Sequence, residues 1–455
     1  MRRQTTAISA VLIAVAAIAA QARATVREVH TFDELAAAIE QSEPGDEIIL
    51  APGEYRFPRT LHLASGITLR GAGVGKTIAV ADPAWQVSTD TLPREDDPSA
   101  YLFSMEKVRR IKISGMTLRG PNVHGAVFAN AVEDLELFDL HVKGFLWSGI
   151  RTWRMKNYRV HDCTFVDAGG KFGSTTGGAL FMHWSADSEF WNNRMTRTEG
   201  AAPFYGIKGY GGKNCRLHHN TINVNFAIEF PHDNNAYMEI DHNVLHGCVS
   251  IPKHAGGSVP EGGYTFHIHH NWFTTSYALE WPRNAVEVDY NVFTFSPEAD
   301  GGNLISRFGN ESAPGPTDFH DNLILNPGRG LFWTNGVYDH FRFANNHVIA
   351  HRTATPRTEG LFGFHRDTDF STIVIADNII ECRELPRPLV RNEESYAAVV
   401  ENNTLIGITD ADRFENRDTG APRGPRKPLE FSCGVDGEYH VRGFEVTRRS
   451  ETPNR

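Results

Sequence analysis

Read only for apolar and polar positions, most of the chain repeats one short phrase: apolar, any, apolar, two polar residues, asparagine, any, apolar. Clear copies run from Met238 through Ile240 and Asn243 to Leu245, from Phe266 through Ile268 and Asn271 to Phe273, and from Val286 through Val288 and Asn291 to Phe293. Alternation at period two marks short strands with one buried face, and the polar pair marks a bend between two of them. The asparagine recurs at Asn193, Asn220, Asn243, Asn271, Asn291, Asn322, Asn346, Asn378 and Asn403, at intervals of about 20 to 32 residues. Such spacing is one coil of a solenoid carrying loops of varying length. Met116, Leu140 and Cys163 keep the register in earlier coils, so about a dozen coils are expected. Asparagine suits a turn that needs left-handed backbone, and stacked asparagines hydrogen-bond along a ladder, so this column reads as structural.

The ends depart from the repeat. Residues 32–41 form an amphipathic pattern with Phe32, Leu35, Ala36 and Ile39 on one face, a helix placed to cap the open hydrophobic end of the first coil. From about Thr409 the repeat lapses, and residues 413–427 are rich in Arg, Pro and Gly before a last apolar segment near 431–446. At the start, Arg2 and Arg3 precede a short apolar run and then Ala22-Arg23-Ala24, the layout of a signal peptide cleaved after Ala24. The run is shorter than the ~20 residues a membrane span needs, and no later segment is apolar enough. The expected organisation is a signal peptide over 1–24, an all-β parallel β-helix over 25–408, and a tail of loop and terminal strand over 409–455. A secreted or periplasmic monomer is expected, with no transmembrane segment after cleavage.

Composition narrows the partners. A net charge of −10 offers no basic excess to displace phosphate counterions, which argues against nucleic acid. An acidic polymer would need a local basic cleft. Cys163, Cys215, Cys248, Cys382 and Cys433 are odd in number and include no C-x-x-C pair; Cys215 and Cys248 read as core fillers.

The helix, the string Pro44-Gly-Asp-Glu-Ile-Ile-Leu-Ala-Pro-Gly-Glu-Tyr55, the string Ile67-Thr-Leu-Arg-Gly-Ala-Gly73 and the asparagine coils together resemble the right-handed parallel β-helix proteins that include pectate lyases, chondroitinase B, alginate lyases and mannuronan epimerases. The resemblance spans residues 26–408. It implies the fold and points to acidic polysaccharide as substrate, but the same scaffold hosts several chemistries.

Each coil carries another strand between its asparagines. Stacked on Phe181, Ile207, Ile228, Ile251, Leu279, Ile305, Phe332 and Phe362 as inward residues, these strands turn Met182, Lys208, Glu229, Pro252, Glu280, Ser306, Trp333 and Gly363 outward in one column. His183, Tyr210, His232, Lys253, His254, Trp281, Arg283, Arg307 and His365 lie close by along the strands, between Gly-rich insertions that would wall a groove.

Three chemistries fit such a face. In β-elimination or C5 epimerisation of a uronate, Lys208, Lys253 or His254 is the base and Arg283 or Arg307 neutralises the sugar carboxylate. Glu229, Asp233 and Glu280 are candidate calcium ligands sharing that role. The resemblance adds that a Lys and an Arg on neighbouring coils do this work in chondroitinase B and alginate lyases, and that Phe230-Pro231-His232-Asp233 is similar to an Asp-Pro-His-Asp/Glu string of mannuronan epimerases, with Phe replacing its first Asp. Alternatively, Glu229 and Glu280 are the paired carboxylates of an inverting glycoside hydrolase. The third reading is a non-catalytic carbohydrate-binding or surface protein. His183, Tyr210, His232, Trp281, Trp333 and His365 would contact sugar in all three. Residues 71–77 look like a phosphate loop, yet Arg70 stands where its first glycine belongs, so turn chemistry is expected. The pairs His218-His219 and His269-His270 read as exposed turn residues, stacking through His242.

Overall fold

The alternating phrases fold into parallel strands, three series per coil, and strands of successive coils pair in register apart from shifts between Lys143 and Phe145 and between Phe226 and Ile228. The computed structural model describes residues 24–87, 97–169, 177–201, 204–231, 235–251, 264–275, 277–280, 285–295, 302–307, 316–334, 337, 339–350, 360–382, 384, 386–391, 393–414, 430–433 and 439–442, with backbone alone at 307, 393–394, 430–433 and 439–442. Two series, joined at the polar bend, make a 27-stranded sheet; the third makes a 12-stranded sheet running from Leu61–His62 to Phe362–Gly363. The solenoid expected from the sequence is therefore present, as an all-β parallel β-helix. The signal-peptide pattern lies almost wholly outside the described residues. In the tail, Glu430–Cys433 pairs antiparallel with Tyr439–Arg442.

One apolar cluster runs the length of the solenoid from Val29 to Phe414. Within it Phe273 stacks on Phe293 at 4.7 Å, Phe293 on Phe319 at 5.7 Å, and Phe319 on Phe343 at 5.3 Å. The helix Phe32–Glu40 closes the N-terminal end by burying Leu35, Ala36, Ala38 and Ile39. Its start is set by Thr31, whose hydroxyl accepts from the Glu34 amide at 3.2 Å. Cys163, Cys215, Cys248 and Cys382 are free and buried. Residues 71–77 make a turn: the Thr77 hydroxyl is fully buried and donates to the Leu50 carbonyl at 3.1 Å, so it cannot face a phosphate.

The asparagine column is a buried ladder. Asn243 donates through Nδ2 to the Leu217 carbonyl at 2.8 Å and to Asn271 Oδ1 at 2.9 Å, and its amide donates to the same oxygen at 3.0 Å. The left-handed backbone falls one residue earlier than the asparagine itself. It is taken by Asp162, Asn192, His219, His242, His270, Tyr290, Asp321, Asn345, Asp377 and Asn402, with φ between 51° and 57°. Asn, Asp and His tolerate this region better than most residues, which explains much of the polar pair's composition. The ladder asparagine is selected for its amide alone.

Candidate functional site

The outward column of the 12-stranded sheet follows from the register. Arg151 pairs with Phe128 on one side, while Phe181, Lys208, Glu229, Ser250, Glu280, Ser306, Trp333 and Gly363 follow one another coil by coil. Sequence stacking placed Lys208, Glu229, Glu280, Ser306, Trp333 and Gly363 correctly. It erred at two coils. Met182 is fully buried in the core and Phe181 takes the outward place, because Leu180 is the partner of Ile207. Ser250, not Pro252, follows Glu229, because Val249 rather than Ile251 pairs with Ile228, and the register shifts between Phe226 and Ile228.

At the centre of the column the Lys208 ammonium meets a Glu229 carboxylate oxygen at 2.5 Å, with the two residues only 5% and 8% exposed. Ions so desolvated persist only when paired and hydrogen-bonded. Tyr205 and Tyr210 frame the ammonium, their ring centres 4.0 and 5.8 Å away. The Tyr205 hydroxyl donates to Glu229; burial first, and then that carboxylate, push its pKa far above the ordinary phenol range, so it stays protonated. Tyr205 reaches this face because Gly206 and Ile207 both turn toward the core, which breaks the alternation. A Cβ on Gly206 would stand 2.4 Å from the Ala227 carbonyl oxygen.

Glu280 lies two coils beyond Glu229, and its carboxylate accepts from the Ser250 hydroxyl at 2.5 Å. Stacked strands stand ~4.8 Å apart, so their backbones are separated by about 9.6 Å. Burial first, then the carboxylates of Glu280 and Glu229, push the Cys248 thiol well up, which keeps it inert. As for calcium, the Glu229 charge is already matched by Lys208, and among the described residues no third carboxylate or imidazole joins Glu229 and Glu280 within coordination reach.

On the other side of Lys208, the fully buried His183 stacks on Tyr210 at 4.2 Å and meets the tilted ring of Trp153 at 4.5 Å. Beside them Trp184 is 45% exposed, 5.2 Å from Trp153 and 6.4 Å from Tyr210 between ring centres. The Arg151 guanidinium, 1% exposed, lies over Phe181, Trp153 and Trp147 at 4.8, 5.3 and 5.5 Å. Farther along the column, Trp333 and His365 join Phe364, Arg366 and Arg391 around a shallow cleft of about 350 Å³. His232, Asp233, Lys253, His254, Trp281 and Arg283 lie outside the described residues. Arg307 is placed by its backbone in the strand Ile305–Arg307, paired with Thr334.

Arg151, Tyr205, Trp184 and Ser250 are the residues that sequence reasoning missed. Arg151 was within reach: carrying the column one coil past Phe181 finds it. Trp184 occupies a corner that is left-handed in successive coils, at Lys107, Ala131, Arg154, Trp184 and Gly211, with φ of 50° at the tryptophan. A bulky side chain is disfavoured there, and the next coil uses glycine. Trp184→Gly is therefore expected to leave unfolding free energy unchanged or raised by about 1 kcal/mol, which denaturant titration checks.

Among the described residues no helix is long and apolar enough to cross a membrane. No protein-family model matches the chain, and no curated protein matches it by sequence. Solved structures do. An alginate lyase from Paenibacillus sp. str. FPU-7 is 12% identical, over 70% of this chain and 99% of that one, with a TM-score of 0.46. The PL6 family alginate lyase AlyGC is 12% identical over 92% of this chain and 55% of its own, with a TM-score of 0.53, so the chain spans about half its length. The tailspike protein of E. coli bacteriophage HK620, in complex with a pentasaccharide, is 11% identical over 78% and 68% of the two chains, with a TM-score of 0.53. At such identities the likeness concerns architecture, and with the register above it establishes that the chain is a right-handed parallel β-helix.

Proposed function

We propose that the chain is a carbohydrate-active enzyme that removes the C5 proton of a uronate residue in an acidic polysaccharide and completes the reaction as a β-elimination or a C5 epimerisation. The observation that carries this reading is the Lys208–Glu229 pair, a desolvated cation held under two tyrosines in the outward column. An ammonium can hydrogen-bond a neutral sugar's hydroxyls, but a uronate gains more from it, because its carboxylate must be neutralised before the adjacent C–H bond becomes acidic. The β-helix likeness to AlyGC, named an alginate lyase, and to a tailspike solved with a pentasaccharide supports a saccharide on this scaffold.

In elimination a base takes the C5 proton, the electron pair left behind becomes the C4–C5 double bond, the C4–O bond breaks, and the departing oxygen takes up a proton. Lys208, whose charge is shared with Glu229, hydrogen-bonds the sugar carboxylate, and Arg283 and Arg307 add the net positive charge facing it. Lys253 or His254, just past Ile251 in sequence, is the proposed base. Tyr205, held protonated, hands its proton to the departing oxygen. Epimerisation shares the first step and returns a proton to the opposite face of the ring. Calcium held by Glu280 and Asp233 would add positive charge at the same sugar carboxylate.

A second reading is inverting hydrolysis by Glu229 and Glu280. Their backbones stand about 9.6 Å apart, from which side chains leaning toward each other would bring the carboxyl groups into the range of such a pair. The readings part on products. Alginate, pectate and glycosaminoglycans incubated with the enzyme, with and without calcium, should yield the ultraviolet absorbance of an unsaturated uronate, or uronate epimers without chain cleavage. New reducing ends without that absorbance would select hydrolysis. Tyr205→Phe is expected to lower kcat by about 10²–10³-fold with little change in KM, the signature of a lost proton donor. An unchanged kcat would remove Tyr205 from the mechanism.

A further inference from the structure

The histidines of the polar bend lie on the other sheet and play no part in the chemistry above. Their strands place four consecutive pairs of outward residues in register: Glu239 and Asp241, His267 and His269, Glu287 and Asp289, Asp318 and His320. We propose that His267, Glu287 and Asp289 bind one divalent first-row transition ion of the zinc class.

His267 Nε2 stands 2.8 Å from Asp289 Oδ1 and 3.9 Å from Glu287 Oε2, and the three ligand atoms lie within 4.8 Å of one another. Ligands ~2.1 Å from one ion are about 3 Å apart at right angles and about 4 Å apart when opposed, so this triangle closes around an ion with small side-chain rotations. The donors sit on two strands fixed by ladder pairing, and the Asp289 side chain is only 9% exposed. A supporting layer is also present. His320 Nε2 bonds the other Glu287 oxygen, Oε1, at 3.1 Å, and His320 Nδ1 meets Asp321 at 2.8 Å. This carboxylate–imidazole–carboxylate relay orients Glu287 as outer partners orient metal ligands elsewhere.

The neighbouring positive charges decide between this site and its near copy. Asp241, His242 and His269 also bring ligand atoms together. There, however, Arg216 grips both Asp241 oxygens at 2.9 and 2.8 Å, and Glu239 takes His269 Nε2 at 3.0 Å. At the proposed site the nearest equivalent guanidinium, Arg342, is spent on Asp318 at 2.8 and 3.0 Å. Among the described residues the partners of Glu287 and Asp289 are imidazoles and no guanidinium, His320 on Glu287 and His267 on Asp289. One imidazole with two carboxylates favours zinc, cobalt or nickel over calcium or magnesium, which prefer all-oxygen shells. Bound there, the ion staples two coils directly and a third through His320.

The test uses the full chain made without a histidine tag, stripped with chelator and titrated with Co²⁺ and then Zn²⁺, read by visible absorbance, calorimetry and thermal unfolding. The expected result is one ion per chain, a cobalt spectrum displaced by zinc, and a raised unfolding temperature. His267→Gln and Asp289→Asn, checked for retained β circular dichroism, should each weaken binding at least tenfold, and His242→Gln should not. The proposal is overturned if no ion binds in this way, if His242→Gln abolishes binding while His267→Gln leaves it intact, or if calcium displaces cobalt at equal concentration. None of these readouts depends on the carbohydrate reaction, so failure here leaves that reading standing.

Discussion

Lys208→Ala should lower turnover on an acidic polysaccharide by about 10³-fold or more and should at the same time destabilise the fold by about 3–5 kcal/mol. The two effects have different origins. Turnover falls because the ammonium that hydrogen-bonds the sugar carboxylate is gone. Stability falls because Glu229, 8% exposed, is left as a buried anion whose remaining partner, the Tyr205 hydroxyl, cannot neutralise it. The double variant Lys208→Met with Glu229→Gln separates them. Removing both charges should restore most of the lost stability, since replacing a buried ion pair by uncharged groups of like size is often near neutral, while turnover stays lost. Calorimetric unfolding beside kinetics reads both. If the double variant recovers activity along with stability, the pair is structural and the site lies elsewhere.

The second large effect is expected far from the groove. Asn271→Ala should cost about 4 kcal/mol, because truncation strands several buried partners at once and each unsatisfied group costs about 1–3 kcal/mol. Asn271 accepts from the Asn243 amide at 3.0 Å and from Asn243 Nδ2 at 2.9 Å, and it donates to the Ile240 carbonyl at 2.8 Å and to Asn291 Oδ1 at 3.0 Å. Asn403 ends the ladder and is 8% exposed, so water can replace part of what it gives. Asn403→Ala should cost less than half as much. Denaturant midpoints for the two variants decide this. Equal losses would show that the ladder is no more than a series of independent turns.

The contrast between ladder and groove explains how much the sequence revealed. The fold was legible because its signal repeats: period-two alternation ending in asparagine recurs coil after coil, and each copy corroborates the others. The groove has no repeat. Its residues were found by counting outward from inward apolar positions, which works only while every coil keeps the same corner geometry. Counting succeeded at Lys208, Glu229, Glu280 and Trp333, where the corners match. It failed at Ser250, where the register shifts after Phe226 and Ile251 imitates its core neighbours by also facing inward. Tyr205 was hidden by two consecutive inward residues, which no alternating pattern anticipates. The left-handed residue of each bend was displaced by one because asparagine fits both roles, and only the hydrogen bonds show that its amide is what the coil uses.

The central claim is that this face removes the C5 proton of a uronate, and running the reaction in D₂O tests it most directly. Proton NMR of the products would follow wild type and Lys208→Ala on alginate, pectate and glycosaminoglycans. The account predicts, for at least one polymer, either the vinyl H4 signal of an unsaturated end or solvent deuterium at C5 of inverted residues, absent with Lys208→Ala. New reducing ends with every C5 proton retained would contradict it and assign the groove to hydrolysis.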